Sequence, residues 1–340
     1  VQLIYQIVHF LFPRKERHSQ QVAPGVRRNP DNKKLSSLTN TMKMKSILLT
    51  AFAASAFAVG SVQAGILVSS GSGCRLYSDT GTLLQTYTST AGNYQGNAVD
   101  AAGNVYFADF SFGIRKYNGT TGAFISNVTD NTFYGAAWPL FGITAKTGTD
   151  LMASYNLGAN AHFVGLNTSA TDTQVSISPN YSPSYEGLNY SQEVGLLYAT
   201  TSNGGGLLQY FDPVGNFMGG VAVGTAPKGT VRDDFNDMQY IADFGGSVWK
   251  WNGVSAPSKF ITGLTSAYGV TAVGNGDIWV SDYGTGDIKR YNSAGAFQSS
   301  FNVGAGVTYI TYSAIPEPTT WGLLALGLTA VVTLRRRRSA

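Results

Sequence analysis

The densest group of ionisable side chains is Arg232-Asp233-Asp234-Phe235-Asn236-Asp237. Its carboxylates, Asp233, Asp234 and Asp237, are the candidate oxygen ligands for a hard cation such as Ca2+. Neighbouring segments at the matching place read Ala-Ala-Gly-Asn (101–104) and Gly-Asn-Gly-Asp (274–277), so a solvated hairpin turn is the simpler reading. Three further carboxylates, Asp109, Asp243 and Asp282, recur where apolar runs end, and are expected to accept backbone hydrogen bonds there. Nucleophilic chemistry has little to draw on. Cys74 is the only cysteine and His162 the only histidine after residue 18. An intramolecular disulfide and a Cys/His zinc site are thereby excluded, and a His-dependent triad is not expected. Cys74 itself is expected to be a buried spectator. The reading is of a non-enzyme without a cofactor, with Ca2+ at the acidic turn as the alternative.

Aromatic side chains offer a different chemistry. Tyr94, Phe133, Tyr134, Trp138, Phe141, Tyr181, Tyr185 and Tyr268 lie in segments that lead into short apolar runs. Flat rings with polar edges stack on sugars or peptides when exposed. Tyr94, Trp138, Phe141, Tyr185, Glu186 and Tyr268 are the candidate ligand face. Packing of these rings beneath their own loops is the structural alternative.

Positioning such a face requires a repeated scaffold, and the chain has one. GNAVDAAGNVYFADFSFGIRKYNGTTGAFI from Gly96 parallels GVTAVGNGDIWVSDYGTGDIKRYNSAGAFQ from Gly269. Each reads as Gly, apolar strand, turn, apolar strand closing in Ala/Ser-Asp, loop, strand ending in Tyr-Asn, turn, and a final strand. Leading glycines recur at Gly96, Gly142, Gly187, Gly229, Gly269 and Gly306, about 40 residues apart. The second strand closes on a small residue: Ser69, Ala108, Ala153, Ala199, Ala242 and Ser281. Six such units of four strands predict an all-β six-bladed β-propeller over residues 65–314. The first unit starts at its second strand. The segment after Gly306 supplies the missing one, so the ring closes by pairing the terminal strands and leaves no free edge.

The Gly–strand–Asn/Asp–Gly turn–Tyr-Phe-Ala-Asp pattern at 96–109 and 269–282 resembles the NHL-type repeat. That resemblance implies a partner-binding propeller. It also admits a metal-dependent lactonase or esterase, because gluconolactonase-type propellers gather oxygen ligands around a divalent metal in the central channel. Here the residues preceding the leading glycines are Gln95, Phe141, Glu186, Lys228, Tyr268 and Ala305, with a single carboxylate. Asn97 and Glu186 are the first candidates for such a metal.

Charge and termini set the destination. Residues 65–314 hold 10 Lys+Arg against 16 Asp+Glu, a net −6, whereas the whole chain carries +4. A net acidic body argues against nucleic acid as a partner. From Met42, MKMKSILLTAFAASAFAVGSVQA has a basic start, a 13-residue apolar run (47–59) and small residues before Gly65. This predicts a signal-peptide helix over 42–64, recognised by the Sec export machinery and cut by signal peptidase between Ala64 and Gly65. The apolar run would span only ~20 Å, short of a ~30 Å hydrocarbon core. Residues 1–41 are expected to be an upstream non-domain segment.

At the other end, Pro316-Glu317-Pro318 precedes an apolar stretch, Trp321 to Leu334, and then Arg335, Arg336, Arg337 and Arg338. The arginines favour the cytoplasmic side, so the body lies outside and the tail forms a short transmembrane sorting helix. The three parts in this order, over 315–340, resemble the PEP-CTERM sorting signal. That resemblance implies cutting by an exosortase-like membrane protease and placement at the envelope or outside the cell. Family members come mostly from producers of extracellular polysaccharide, which makes that polysaccharide, or an envelope protein, the expected partner.

Overall fold

The computed structural model describes residues 63–315, apart from residues 72, 89–92, 111–112, 130–139, 147, 149, 158–159, 168–173, 178–183 and 203–204. The signal segment before residue 63, the sorting residues from Pro316 to Arg338, and Trp138 lie outside the described residues.

Six four-stranded antiparallel sheets make up the described residues. Blade 1 holds β1 (Gln63–Ser70), β2 (Gly73–Ser78) and β3 (Leu83–Thr88). Blade 2 is β4 (Tyr94–Val99), β5 (Asn104–Asp109), β6 (Gly113–Asn118) and β7 (Phe124–Thr129). Blade 3 is β8 (Leu140–Ala145), β9 (Asp150–Leu157), β10 (Asn160–Asn167) and β11 (Gln174–Ile177). Blade 4 runs β12 (Tyr185–Ser191), β13 (Leu196–Thr201), β14 (Leu207–Phe211) and β15 (Phe217–Ala222). Blade 5 runs β16 (Pro227–Asp233), β17 (Met238–Asp243), β18 (Ser247–Trp251) and β19 (Ser258–Thr262). Blade 6 runs β20 (Ala267–Ala272), β21 (Ile278–Asp282), β22 (Asp287–Tyr291) and β23 (Phe297–Asn302). The last strand, β24 (Val307–Ile315), returns to blade 1, giving the order β24-β1-β2-β3. The expected six-bladed ring and its terminal closure are both present.

Around the axis the first strands of the blades neighbour one another in the cycle β24, β4, β8, β12, β16, β20. Crowding there explains the leading glycines. A Cβ at Gly96, Gly142, Gly187, Gly229 or Gly269 would lie within 2.7 Å of backbone in the next inner strand. Hydroxyls stitch the same ring. Ser281 Oγ accepts from Gly269 N at 2.7 Å and donates to Thr308 O at 2.5 Å on the next blade. Thr200 Oγ1 accepts from Gly187 N at 2.8 Å and donates to Lys228 O. Ser154 Oγ accepts from Gly142 N at 2.8 Å.

Two details of the repeat register need correction. In blades 3 and 4 the residues equivalent to Ser281 are Ser154 and Thr200, one position later than Ala153 and Ala199. Near the closure, Gly306 precedes β24 rather than occupying the glycine position. Ladder partners show why: Ala267 and Val270 face Asp282 and Val280, while Val307 and Ile310 face Ser70 and Val68. Tyr309 therefore stands where Gly269 stands, and Thr308 replaces Ala305 as the residue before it. The closing junction is fastened by side chains. Asn97 Nδ2 donates to Ser69 Oγ (2.8 Å) and Tyr309 O (2.9 Å), and Thr308 Oγ1 donates to Ser69 O (3.1 Å) and Tyr94 O (2.8 Å). Asn97 is thus held through its amide nitrogen, while its Oδ1 is buried with no hydrogen-bond partner among the described residues.

Between blades the core is aliphatic and aromatic. One cluster joins Leu67, Tyr87, Tyr94, Phe107 and Tyr117 of blades 1 and 2, and another joins Ile66, Trp279, Ile288 and Val307 across the closure. Cys74 is fully buried, and burial holds its thiol pKa well above the usual value.

Candidate functional site

Each inner strand begins with two residues of opposite fate, because strand side chains alternate between faces. Two positions before the glycine stand Tyr94, Leu140, Tyr185, Pro227 and Ala267, with Val307 as the sixth, and all are buried. Tyr94 is 1% and Tyr185 0% exposed. Tyr94 packs edge-on against Phe107, and Tyr185 stacks on Phe163 at 4.4 Å and meets Phe211 at 5.9 Å. The expectation that Tyr185 forms part of a ligand face is therefore corrected, because it belongs to the inter-blade core. Tyr94 is also buried but lines the pocket described below.

One position before the glycine, side chains turn toward the channel mouth. Gln95, Lys228, Tyr268 and Thr308 line a pocket of about 390 Å3 there, together with Asn93, Phe244 and Tyr283. Lys228 Nζ pairs with Glu186 Oε1 at 3.1 Å and lies over the Tyr268 ring at 5.7 Å. The same Glu186 oxygen accepts from Ser202 Oγ at 2.8 Å and Ser184 Oγ at 3.4 Å. Glu186 is buried behind this pair and not presented to a ligand. Phe141, half-buried, meets Phe110 edge-on at 5.9 Å outside the pocket.

The exposed rings are ones that the sequence reading passed over. Tyr283 stacks on Tyr268 at 5.6 Å, Phe244 meets Tyr268 at 6.1 Å, and Phe244 and Tyr283 lie 5.8 Å apart. Tyr283 is 39% and Phe244 37% exposed, so this cluster gives the pocket an open aromatic wall. Tyr268 is the anchoring member. Its hydroxyl donates to Gln95 Oε1 at 2.9 Å. Burial, then the nearby Glu186 and Tyr283, push its pKa up, so it remains a neutral phenol. A signal for the missed rings was in the repeat: Phe110, Phe244 and Tyr283 each follow the small residue–Asp pair that closes a second strand. The Asp turns inward. Asp282 accepts from Ser266 N (2.9 Å), Thr265 N (3.1 Å) and Lys289 Nζ (2.7 Å), and Asp243 accepts from Ala226 N (2.9 Å). The next side chain is thereby sent outward.

Tyr309 reaches across the ring of inner strands. β24 and β12 stand opposite each other in the ring of inner strands. Across that distance the Tyr309 hydroxyl donates to the Glu186 carbonyl at 2.6 Å, and the ring meets Tyr268 edge-on at 5.4 Å. Its burial holds the phenol pKa well above the usual value. The pocket forms a cup on this face, with the Tyr309 crossing beside it through Tyr268.

The acidic turn lies on the other face and is internally satisfied. Asp233 is buried and accepts from Phe235 N at 3.2 Å and Asn236 Nδ2 at 2.8 Å. Asp234 pairs with Arg232 at 3.4 Å and accepts from Ser191 Oγ at 3.1 Å, and Asp237, at φ 56°, also pairs with Arg232. Among the described residues no three His, Cys, Asp or Glu side chains gather where a metal could sit. His162 is stacked on Tyr155 at 5.2 Å, with its pKa lowered by burial. Ala64 and Gly65, which flank the expected signal cut, are in β1, and their backbones face Ala314 and Ser313.

Comparison with known proteins agrees with this picture. Residues 314–338 match the PEP-CTERM protein-sorting motif. This chain carries a PEP-CTERM tail. The tail implies an exported protein processed by an exosortase, with its C-terminus anchored or processed at the membrane. A chain of the crystallised nidogen/laminin complex is similar in fold, at 15% identity and a TM-score of 0.63, over 75% of this chain and 99% of that one. A protein of unknown function from Bacteroides caccae aligns at 12% identity and a TM-score of 0.59, over 74% and 98%. No curated protein matches the chain. These likenesses agree with the six-bladed propeller fold and say nothing about the ligand.

Proposed function

We propose that this PEP-CTERM protein is a non-catalytic binder displayed at or beyond the cell envelope, whose cup takes a sugar unit of the extracellular polysaccharide. The observation that carries this reading is the pair of exposed rings, Phe244 and Tyr283, packed on the buried Tyr268 along the wall of a cup of about 390 Å3. That volume sits near the lower end of small-ligand sites, ~300–1,000 Å3. Asn93 and Gln95 supply hydrogen-bonding edges beside the rings, and the Lys228–Glu186 pair leaves the cup without a net charge of its own. These features suit a neutral polyhydroxylated ligand stacked on aromatic faces.

A metal-dependent hydrolase is the competing class, and it needs several oxygen ligands converging on the channel. Of the residues that precede the glycine position, only Glu186 is a carboxylate, and its Oε1 is engaged by Lys228, Ser202 and Ser184. This arrangement supports the binder. Isothermal titration of the protein with polysaccharide from the producing cells tests it, with Ca2+ and with a chelator. Saturable binding that falls at least ~10-fold, or ~1.4 kcal/mol, in Phe244→Ala/Tyr283→Ala is expected. Affinity unchanged in that double variant would remove the cup from the interaction.

A further inference from the structure

We propose that the face opposite the cup meets the membrane and its sorting protease, so that the cup points away from the membrane while the tail is still attached. The argument is one of chain direction. Inner strands start at the cup face: Tyr268 begins to line it near the start of β20, and Thr308 near the start of β24. β24 then runs to Ile315 at the other face, where its end pairs with β1 through Gly65↔Ser313, next to the expected signal cut. Both processing sites, the expected signal cut at Ala64–Gly65 and the PEP-CTERM motif that starts at residue 314, are thereby brought side by side.

Distances favour this arrangement over the inverted one. From Thr308 to Ile315 the strand advances about 23 Å at ~3.3 Å per residue. Five residues, Pro316 to Thr320, separate Ile315 from Trp321, where the apolar stretch begins. Fully extended, the six steps from Ile315 to Trp321 reach about 20–22 Å. A body with its cup on the lipid would hold Ile315 at the very limit of this tether, with every linking residue fully stretched. With the opposite face toward the membrane, the tether fits with room to spare. The most exposed large apolar side chains also belong to turns of that face: Val254 at 91%, Val214 at 68% and Phe235 at 68%. They are the side chains placed to touch a lipid surface first. The proposal rests on the binding reading only for the meaning given to the cup; the orientation follows from the chain path.

Full-length protein with its tail, reconstituted in phosphatidylcholine vesicles containing a headgroup spin-labelled lipid, provides the test. A fluorophore is attached through Val254→Cys or Val214→Cys on one face, or Thr285→Cys on the other. Cys74 is fully buried and does not compete for the label. Quenching at least threefold stronger at positions 254 and 214 than at 285 is expected. Equal quenching, or stronger quenching at 285, overturns the proposal. No ligand enters this measurement, so a cup that fails to bind polysaccharide would leave its outcome readable.

Discussion

Tyr185 and Tyr283 lead into very different surroundings from similar-looking sequence. Tyr185 opens an inner strand two residues before its glycine and is sealed between Phe163 and Phe211. Tyr283 follows a buried Asp at the end of a second strand and is 39% exposed beside Phe244 and Tyr268. Both were aromatic residues at the cup-side end of a strand. What separates them is register: one step along a strand reverses the face, so position relative to the glycine or the Asp decides between core and site.

Tyr185→Ala should break the comparison most severely. Deleting a fully buried ring is expected to cost about 3–5 kcal/mol, whereas Tyr283→Ala should stay within about 0.5 kcal/mol. Urea denaturation followed by tyrosine and tryptophan fluorescence would measure both, and equal losses would contradict the assignment of core and site. Next in size is Gly187→Ala, where the added methyl meets the Lys228 carbonyl of the next blade. A cost of about 1–3 kcal/mol is expected, with the cup distorted because Lys228 lines it.

Tyr309→Phe sharpens the same contrast between buried and exposed phenols. It leaves the Glu186 carbonyl without its donor from across the channel and should cost about 1–2 kcal/mol at neutral pH. Because burial raises the Tyr309 pKa in the fold, its contribution is complete below the unfolded value of about 10 and is lost as pH rises beyond it. Urea midpoints between pH 8 and 11 should therefore fall less steeply in Tyr309→Phe than in the parent. The smallest effect concerns Asp282, neighbour of Tyr283. Burial pushes its pKa up, but Lys289 and the Ser266 and Thr265 amides outweigh this and leave it lowered. Stability from this group is present above about pH 4 and lost as pH falls below. Asp282→Asn should flatten part of that acid decline, and an unchanged slope would show that the carboxylate is not what holds the loop.

Much of the architecture was legible. Leading glycines spaced about 40 residues apart mark where six strands crowd an axis, since no side chain fits against the next backbone there. The incomplete first repeat announced the closing strand, and the recurrence of Asp243 and Asp282 announced buried caps. Local sequence misled where spacing varied by one residue. Ala153 and Ala199 looked like the small closing residues, yet Ser154 and Thr200 hold that place, as their bonds to Gly142 N and Gly187 N show. Similarly, Gly306 attracted the register that Tyr309 in fact occupies.

Composition, repeat length and the two ends thus determined by themselves an exported, ring-closed, all-β body carrying a PEP-CTERM tail, because those properties depend on local pattern and on counts. Which aromatics reach solvent was decided only by the tertiary structure, as was the bond of Tyr309 across the ring and the placing of the cup and the end of β24 on opposite faces. Each of these depends on strand register and on chain direction around a closed ring. A one-residue shift inverts the face while leaving the sequence pattern almost unchanged.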